Sequence, residues 1–254
     1  MSDGATTNGP VISVKGMCTG YAGQPVVHDL NFDVNPGEVL CLLGPNGAGK
    51  TTTMLALAGE LPLIEGEVSF AGIKPKAPLY KRARSGMSYV TEERSVFKGM
   101  TLKDNLKIGG VDIDEAVALF PELEQRMTTR GGLLSGGEQQ MLTLARALGR
   151  KPKLLLADEL SLGLAPMVVD RLLQAVRRAA DEQGTAVVMV EQHAHKALNY
   201  TDHAIVMRRG RVGLDLTGEQ ARVRIGEVEQ AYLTAAGGDA SDLAGEAAGN
   251  NASA

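Results

Sequence analysis

Eight consecutive residues, Gly44, Pro45, Asn46, Gly47, Ala48, Gly49, Lys50 and Thr51, combine three glycines with a lysine and a hydroxyl. Glycines let a chain bend tightly and turn several backbone N–H groups inward, where they can cradle an anion. The positive end of a following helix strengthens that field. Lys50 supplies a point charge for the outer phosphates of a polyphosphate, and the Thr51 hydroxyl can ligate Mg²⁺. A glycine-rich turn can also be a plain connector. Here every fixed position of the phosphate-binding pattern is filled.

A second set of residues fits the same chemistry. Leu154, Leu155, Leu156 and Ala157 read as a buried strand that delivers Asp158 and Glu159 at its C-terminal end. Ligands of parallel sheets gather at that end. Asp158 suits the Mg²⁺ shell of a nucleotide. Glu159 suits a general base that polarises the attacking water. Alone, Asp-Glu after a strand reads equally as a solvated acidic turn; paired with the upstream loop it becomes the second half of a phosphate site. The run Leu134-Ser135-Gly136-Gly137-Glu138-Gln139-Gln140 is a third element. Ser135 with Glu138 three residues on forms a capping box for the next helix. The same helix start, with two glycines permitting close approach, is also an anion site.

These residues need elements to hold them. Val39–Leu43 reads as the buried strand before the glycine-rich loop, and residues 52–58 as the helix after it. Residues 11–14 and 26–34 alternate like strands, with Tyr21 in the Gly-containing loop between them. Residues 66–70 and 88–90 read as short strands, the second ending in Thr91-Glu92-Glu93-Arg94. From there to Gly149 the pattern is helical, with helices at 112–120 and 135–148. Pro166–Gln183 is an amphipathic helix with Pro at its first position and Gly184 just past its end. Strands at 185–190 and 204–207 follow, then a hairpin turn around Gly210. Alternating strands and helices predict an α/β fold with a mainly parallel sheet.

Composition sets the class. The chain has 254 residues, 44% of them apolar and 4% aromatic, with no Trp. That fits an α/β protein cored by Val, Leu, Ile and Ala. A net charge of −4 argues against a nucleic-acid partner held by general electrostatics. Two cysteines, Cys18 and Cys41, form neither a disulfide framework nor a zinc site. The N-terminus lacks a signal peptide, and no apolar run is long enough to span a bilayer, so work at a membrane needs a partner. Residues 1–10 and the tail from 234 are too poor in large apolar side chains to fold.

In this order, the loop at 44–51, the stretch at 134–140 and the Asp158-Glu159 strand resemble the ATP-binding cassette (ABC) ATPases, which are P-loop NTPases. The resemblance spans residues 11–233. It implies a RecA-like, mainly parallel core sheet, an N-terminal antiparallel β subdomain and a small α-helical subdomain at about residues 93–149. It also implies a head-to-tail dimer with two ATP molecules between subunits. Ser135, Gly136 and Gly137 would contact the ATP of the partner, Tyr21 would stack on adenine, and Thr52 would support the inner phosphates.

A narrower resemblance rests on Val190-Glu191-Gln192, Ser161-Leu162-Gly163-Leu164-Ala165-Pro166 and Leu119-Phe120-Pro121-Glu122-Leu123. These are similar to one of the two ATPase subunits of the branched-chain (hydrophobic) amino acid importers, whose relatives serve amides and urea. That family implies ATP and Mg²⁺ as ligands, a second ATPase subunit, with a different polypeptide favoured over a second copy of this one, two transmembrane permease subunits and an extracytoplasmic solute-binding protein. It places the chain at the cytoplasmic face of the cell membrane. The alternatives are a soluble ABC ATPase and the ATPase of an exporter.

Several positions depart from the wider family. Glu92 stands where a Gln usually touches Mg²⁺ or the water. Gln192 stands where a His usually contacts the γ-phosphate; Gln can donate a hydrogen bond there but cannot carry a proton. His193, one residue late, reads as a surface residue at a helix start. Leu160 replaces a usual Pro, and Ala165 a usual Asp.

Overall fold

The computed structural model describes residues 9–72, 77–192 and 194–236. His193 and most of the two expected loose ends lie outside them. Two sheets organise the molecule. The first is antiparallel, in the order β2-β1-β4, built from β1 (Ile12–Tyr21), β2 (Gln24–Val34) and β4 (Leu63–Phe70). The second has six strands: β3 (Val39–Leu43), β5 (Met87–Val90), β6 (Leu154–Asp158), β7 (Ala186–Val190), β8 (His203–Arg208) and β9 (Arg211–Thr217). Its order is β5-β6-β7-β3-β8-β9. All neighbours are parallel except the β8–β9 hairpin at the edge.

The inner strands β3, β6 and β7 of the larger sheet are buried on both faces, so they read as unbroken apolar runs rather than alternating ones. Alternation still sorts the side chains. Val39, Cys41, Leu155, Ala157, Val187 and Met189 point into one core, with helices α5 (Gly136–Leu148) and α6 (Pro166–Gln183). Leu40, Leu42, Leu154, Leu156, Val188 and Val190 point into the other. There they meet α1 (Lys50–Ala58) and the inner residues of the antiparallel sheet, among them Ile12, Leu30 and Phe70. α1 is thus sandwiched between two sheets, which fixes the loop at its start.

The remaining helices are short. α2 (Leu79–Arg84) precedes β5, and α3 (Leu102–Ile108) and α4 (Ile113–Leu119) precede α5. α7 (Ala194–Ala197), α8 (Gly218–Val223) and α9 (Ile225–Ala236) complete the chain. No described helix is long and apolar enough to cross a membrane. Cys18 and Cys41 are both free.

Three local differences from the sequence pattern have physical causes. β1 runs to Tyr21 instead of stopping at residue 14. The break in alternation at Lys15-Gly16 is a bulge, with Gly16 at φ +55° and a register shift between Val14 and Met17. Tyr21 therefore ends a strand and does not sit in a free loop. Second, the helical stretch expected from residue 93 begins only at Leu102, where Thr101 caps the backbone N–H of Asp104. Third, α9 continues past residue 233 to Ala236.

Candidate functional site

Strands β5, β6, β7 and β3 run parallel, so their C-terminal ends share one edge of the sheet. Leu42 and Asp158 both pair with Val190, and Val90 pairs with Ala157. The residues that follow these rows are the glycine-rich loop, Glu92, Glu159 and Gln192. They line a cleft of about 450 Å³, a size suited to a small ligand. Asn46, Gly47, Gly49, Lys50, Thr51 and Thr52 contribute from the loop and helix start. Val26 from β2 and Leu162 from the loop after β6 complete the lining; neither is a site residue expected from the sequence, although Leu162 belongs to the motif at 161–166.

The loop is shaped by close backbone contacts. Gly44 has φ +146°, and a Cβ there would lie 2.4 Å from the Met207 carbonyl oxygen. The Ala48 N–H donates to the Pro45 carbonyl at 3.1 Å. Lys50 is 5% exposed and folds back over the loop. Its Nζ donates to the Gly44 and Pro45 carbonyls at 2.8 and 3.1 Å. An ammonium has three donors, so one remains for a ligand. Burial lowers the Lys50 pKa, while Glu159 and Asp158 act to raise it.

Asp158 ends β6 and is 1% exposed. Its Oδ1 is buried without a hydrogen-bond partner. Burial, and the charges of Glu159 and Glu92, push its pKa up to about 6 against the opposing pull of the Thr51 hydroxyl and Lys50. A buried carboxylate oxygen lacking a partner, beside a hydroxyl, is an unfinished ligand set. Among the described residues no three His, Cys, Asp or Glu side chains cluster closely enough to hold a metal. Mg²⁺ takes one or two protein ligands and completes its shell with phosphates and water, and the Thr51 hydroxyl with the unpaired Asp158 oxygen could supply such a pair.

Glu159 follows directly, with φ +51°. A side chain rarely adopts that region, and strain of this kind collects at functional sites. Its N–H donates to the Val190 carbonyl at 2.9 Å. The Gln192 amide Nε2 donates to Glu159 Oε1 at 2.7 Å. The expected base and the expected γ-phosphate ligand are therefore bonded to each other.

The remaining sequence candidates fall elsewhere. Tyr21 is 51% exposed at the end of β1 and does not line the cleft. Ser135, Gly136 and Gly137 also lie outside its lining. Ser135 caps α5, its Oγ accepting from the Glu138 N–H while Glu138 Oε2 accepts from the Ser135 N–H. Arg126 holds the other oxygen of Glu138 at 2.7 Å. Glu191 carries no expected role, although a carboxylate straight after five buried residues is a signal in its own right.

The family pattern described as ABC transporter matches residues 27–161. This chain belongs to the ABC transporter ATPases. Known members support the assignment over nearly the whole length. The high-affinity branched-chain amino acid transport ATP-binding protein BraG of Pseudomonas aeruginosa is 37% identical over 233 residues, covering 88% of this chain and 99% of BraG. The probable branched-chain amino acid transport ATP-binding protein LivF of Archaeoglobus fulgidus is 30% identical, covering 79% and 89%. A solved structure of the ATP-binding subunit of an ABC transporter is 27% identical, with a TM-score of 0.72, over 85% of this chain and 93% of that one. As an ABC ATPase the chain binds nucleotide and hydrolyses ATP as a transport subunit.

Proposed function

We propose that this ABC ATPase powers an importer for branched-chain or other hydrophobic amino acids, or for related small polar solutes such as amides and urea. The convergence of the glycine-rich loop, Glu159 and Gln192 in one cleft, with Asp158 ending the strand beside them, carries the hydrolytic part. The likeness to BraG and LivF supports the cargo class.

Lys50 and the amides of residues 44–49 take the outer phosphates of ATP. Thr51 and Asp158 would hold Mg²⁺, with Glu92 nearby, and the bound ion would supply positive charge to offset that of the phosphate oxygens. Thr52 supports the inner phosphates and Tyr21, with its exposed ring, stacks on adenine. Glu159 takes the proton of the attacking water as that water's oxygen bonds to the γ-phosphorus and the bond to the ADP oxygen breaks. For this, the Gln192 amide leaves Glu159 and donates to a γ-phosphate oxygen. Ser135, Gly136 and Gly137 serve the ATP of a facing ATPase subunit, unlike this chain. Leu133, Leu162 and Met167, all exposed large apolar side chains, support such a facing surface. Two permease subunits hold the pair at the cytoplasmic face of the membrane, with a solute-binding protein on the far side.

Two substitutions test the hydrolytic part. Lys50→Ala should weaken ATP binding at least about tenfold, and Glu159→Gln should keep binding while lowering kcat by about 10²–10⁴. Unaltered affinity in the first, or normal turnover in the second, contradicts these roles. Uptake of labelled leucine by cells lacking the gene, restored by the wild type but not by Glu159→Gln, tests the cargo; uptake unaffected by the deletion contradicts it.

A further inference from the structure

Glu191 is the residue the mechanism leaves unused. It follows β7 and is 1% exposed, among the least accessible charged groups of the chain. Its backbone N–H donates to the Leu42 carbonyl at 3.3 Å, beside the start of the glycine-rich loop. Its side chain points the other way along the sheet edge, to the loop after Glu159. The Ser161 hydroxyl donates to Glu191 Oε2. The backbone amides of Ser161 and Leu160 lie against the same carboxylate. Oε1 is buried without a hydrogen-bond partner.

A buried carboxylate with one unpaired oxygen costs stability, so folding alone does not account for it. Its contacts suggest another role. Glu159 has a strained backbone, and such a conformation persists only where its surroundings over-determine it. On the near side, the Glu159 N–H is held by Val190. On the far side, Leu160 is buried and Ser161 is bonded to Glu191. The next residue, Gln192, holds the Glu159 carboxylate itself. Val190, Glu191 and Gln192 thus grip Glu159 before, after and at its tip.

We infer that Glu191 is a positioning residue for ATP hydrolysis, clamping residues 160–161 so that Glu159 keeps the backbone geometry that aims it at the water. This rests on Glu159 being the base. Glu191 touches neither nucleotide nor water; it acts through the loop. Its loss should slow the chemical step and leave nucleotide affinity in place, since no residue of the glycine-rich loop bonds to its side chain.

The test uses the full chain in its assembled transporter. Glu191→Ala, Glu191→Gln, Ser161→Ala and Glu159→Gln are compared for kcat, for KM and for binding of a fluorescent ATP analogue. Amide hydrogen exchange across residues 159–165 is measured on the nucleotide-free chain. Glu191→Ala should lower kcat at least about tenfold with KM and analogue affinity within about threefold of wild type. Ser161→Ala should show the same split, more weakly, and Glu191→Gln should fall between wild type and Glu191→Ala. Exchange at 160–162 should quicken in both Ala variants. Unchanged kcat, or kcat and affinity falling together with thermal stability, overturns the inference. If Glu191→Ala does not fold, Ser161→Ala decides, and wild-type kcat there overturns it. Normal turnover by Glu159→Gln would remove the base itself and the inference with it, whereas the other adverse outcomes strike the inference alone.

Discussion

At the scale of single residues the site is a set of carboxylates held at a cost. Asp158 and Glu159 at the end of β6 and Glu191 at the end of β7 sit on neighbouring strands, and burial raises the first and last well above the usual carboxylate range. Glu191 is pushed from the ordinary 4.5 to about 7 by burial and by the charge of Glu159, against its bonds from Ser161 and Leu160; the Cys41 thiol is the other titratable group close to it. The native protein therefore keeps a proton that the unfolded chain has released between those values. Stability falls as pH rises through that window, by about 1.4 kcal/mol for each unit of separation. Glu191→Gln removes the titrating group, so its unfolding free energy should decline less between pH 5 and pH 7 than that of the wild type. Urea unfolding at several pH values checks this, and parallel curves would contradict it.

At the scale of elements, the strand–loop–helix and strand–acid units do most of the work, and they were also the most legible in the sequence. Val39–Leu43 and Pro166–Gln183 fall where the apolar run and the Pro/Gly punctuation put them. Ser135 caps α5 as the Ser-x-x-Glu spacing requires. Ser135→Ala should cost about 1 kcal/mol through the lost cap, a fall of about 2–4 °C in Tm for a chain of this size. Turnover should fall further than that loss explains if, as proposed, the same hydroxyl serves the partner's ATP; a Tm shift with normal turnover would leave it a cap alone.

Less legible were features that depend on contacts distant in sequence. The bulge that extends β1 needs β2 and β4 beside it. The exposed alternation of β9, Arg211–Thr217, is too polar to stand out without β8. The Gln192–Glu159 bond and the Glu191–Ser161 bond join segments about thirty residues apart, and no local pattern announces them. Gly210 is the clearest case. Read only as a hairpin turn, it also ties the glycine-rich loop to β2: its N–H donates to the Ala48 carbonyl at 3.0 Å, and its carbonyl accepts from the His28 N–H at 2.8 Å. Its φ is +74°, and a Cβ would lie 1.8 Å from the Val26 carbonyl oxygen. Gly210→Ala should therefore lower Tm and weaken ATP binding together, since both the edge hairpin and the loop must shift. Wild-type affinity in that variant would show that the tie does not matter to the site.

At the scale of the whole molecule, the nucleotide cleft and the Ser135 start of α5, to which the proposed mechanism assigns the partner's ATP, are separate surfaces. The cleft at the ends of β3, β5, β6 and β7 is lined by the loop, Glu92, Glu159 and Gln192, while the Ser135 start of α5 lies outside it. On the proposed mechanism each chain contributes half of each complete site, and hydrolysis depends on pairing. Binding energy becomes motion in such an arrangement, because ATP favours the closed pair and its loss the open one. The most direct measurement is ATP turnover per chain across a dilution series, with the state of assembly followed by light scattering on the same samples. Turnover should vanish as the paired form disappears and return when the partner ATPase is added back. Full turnover per chain in samples that contain only monomers would contradict the account.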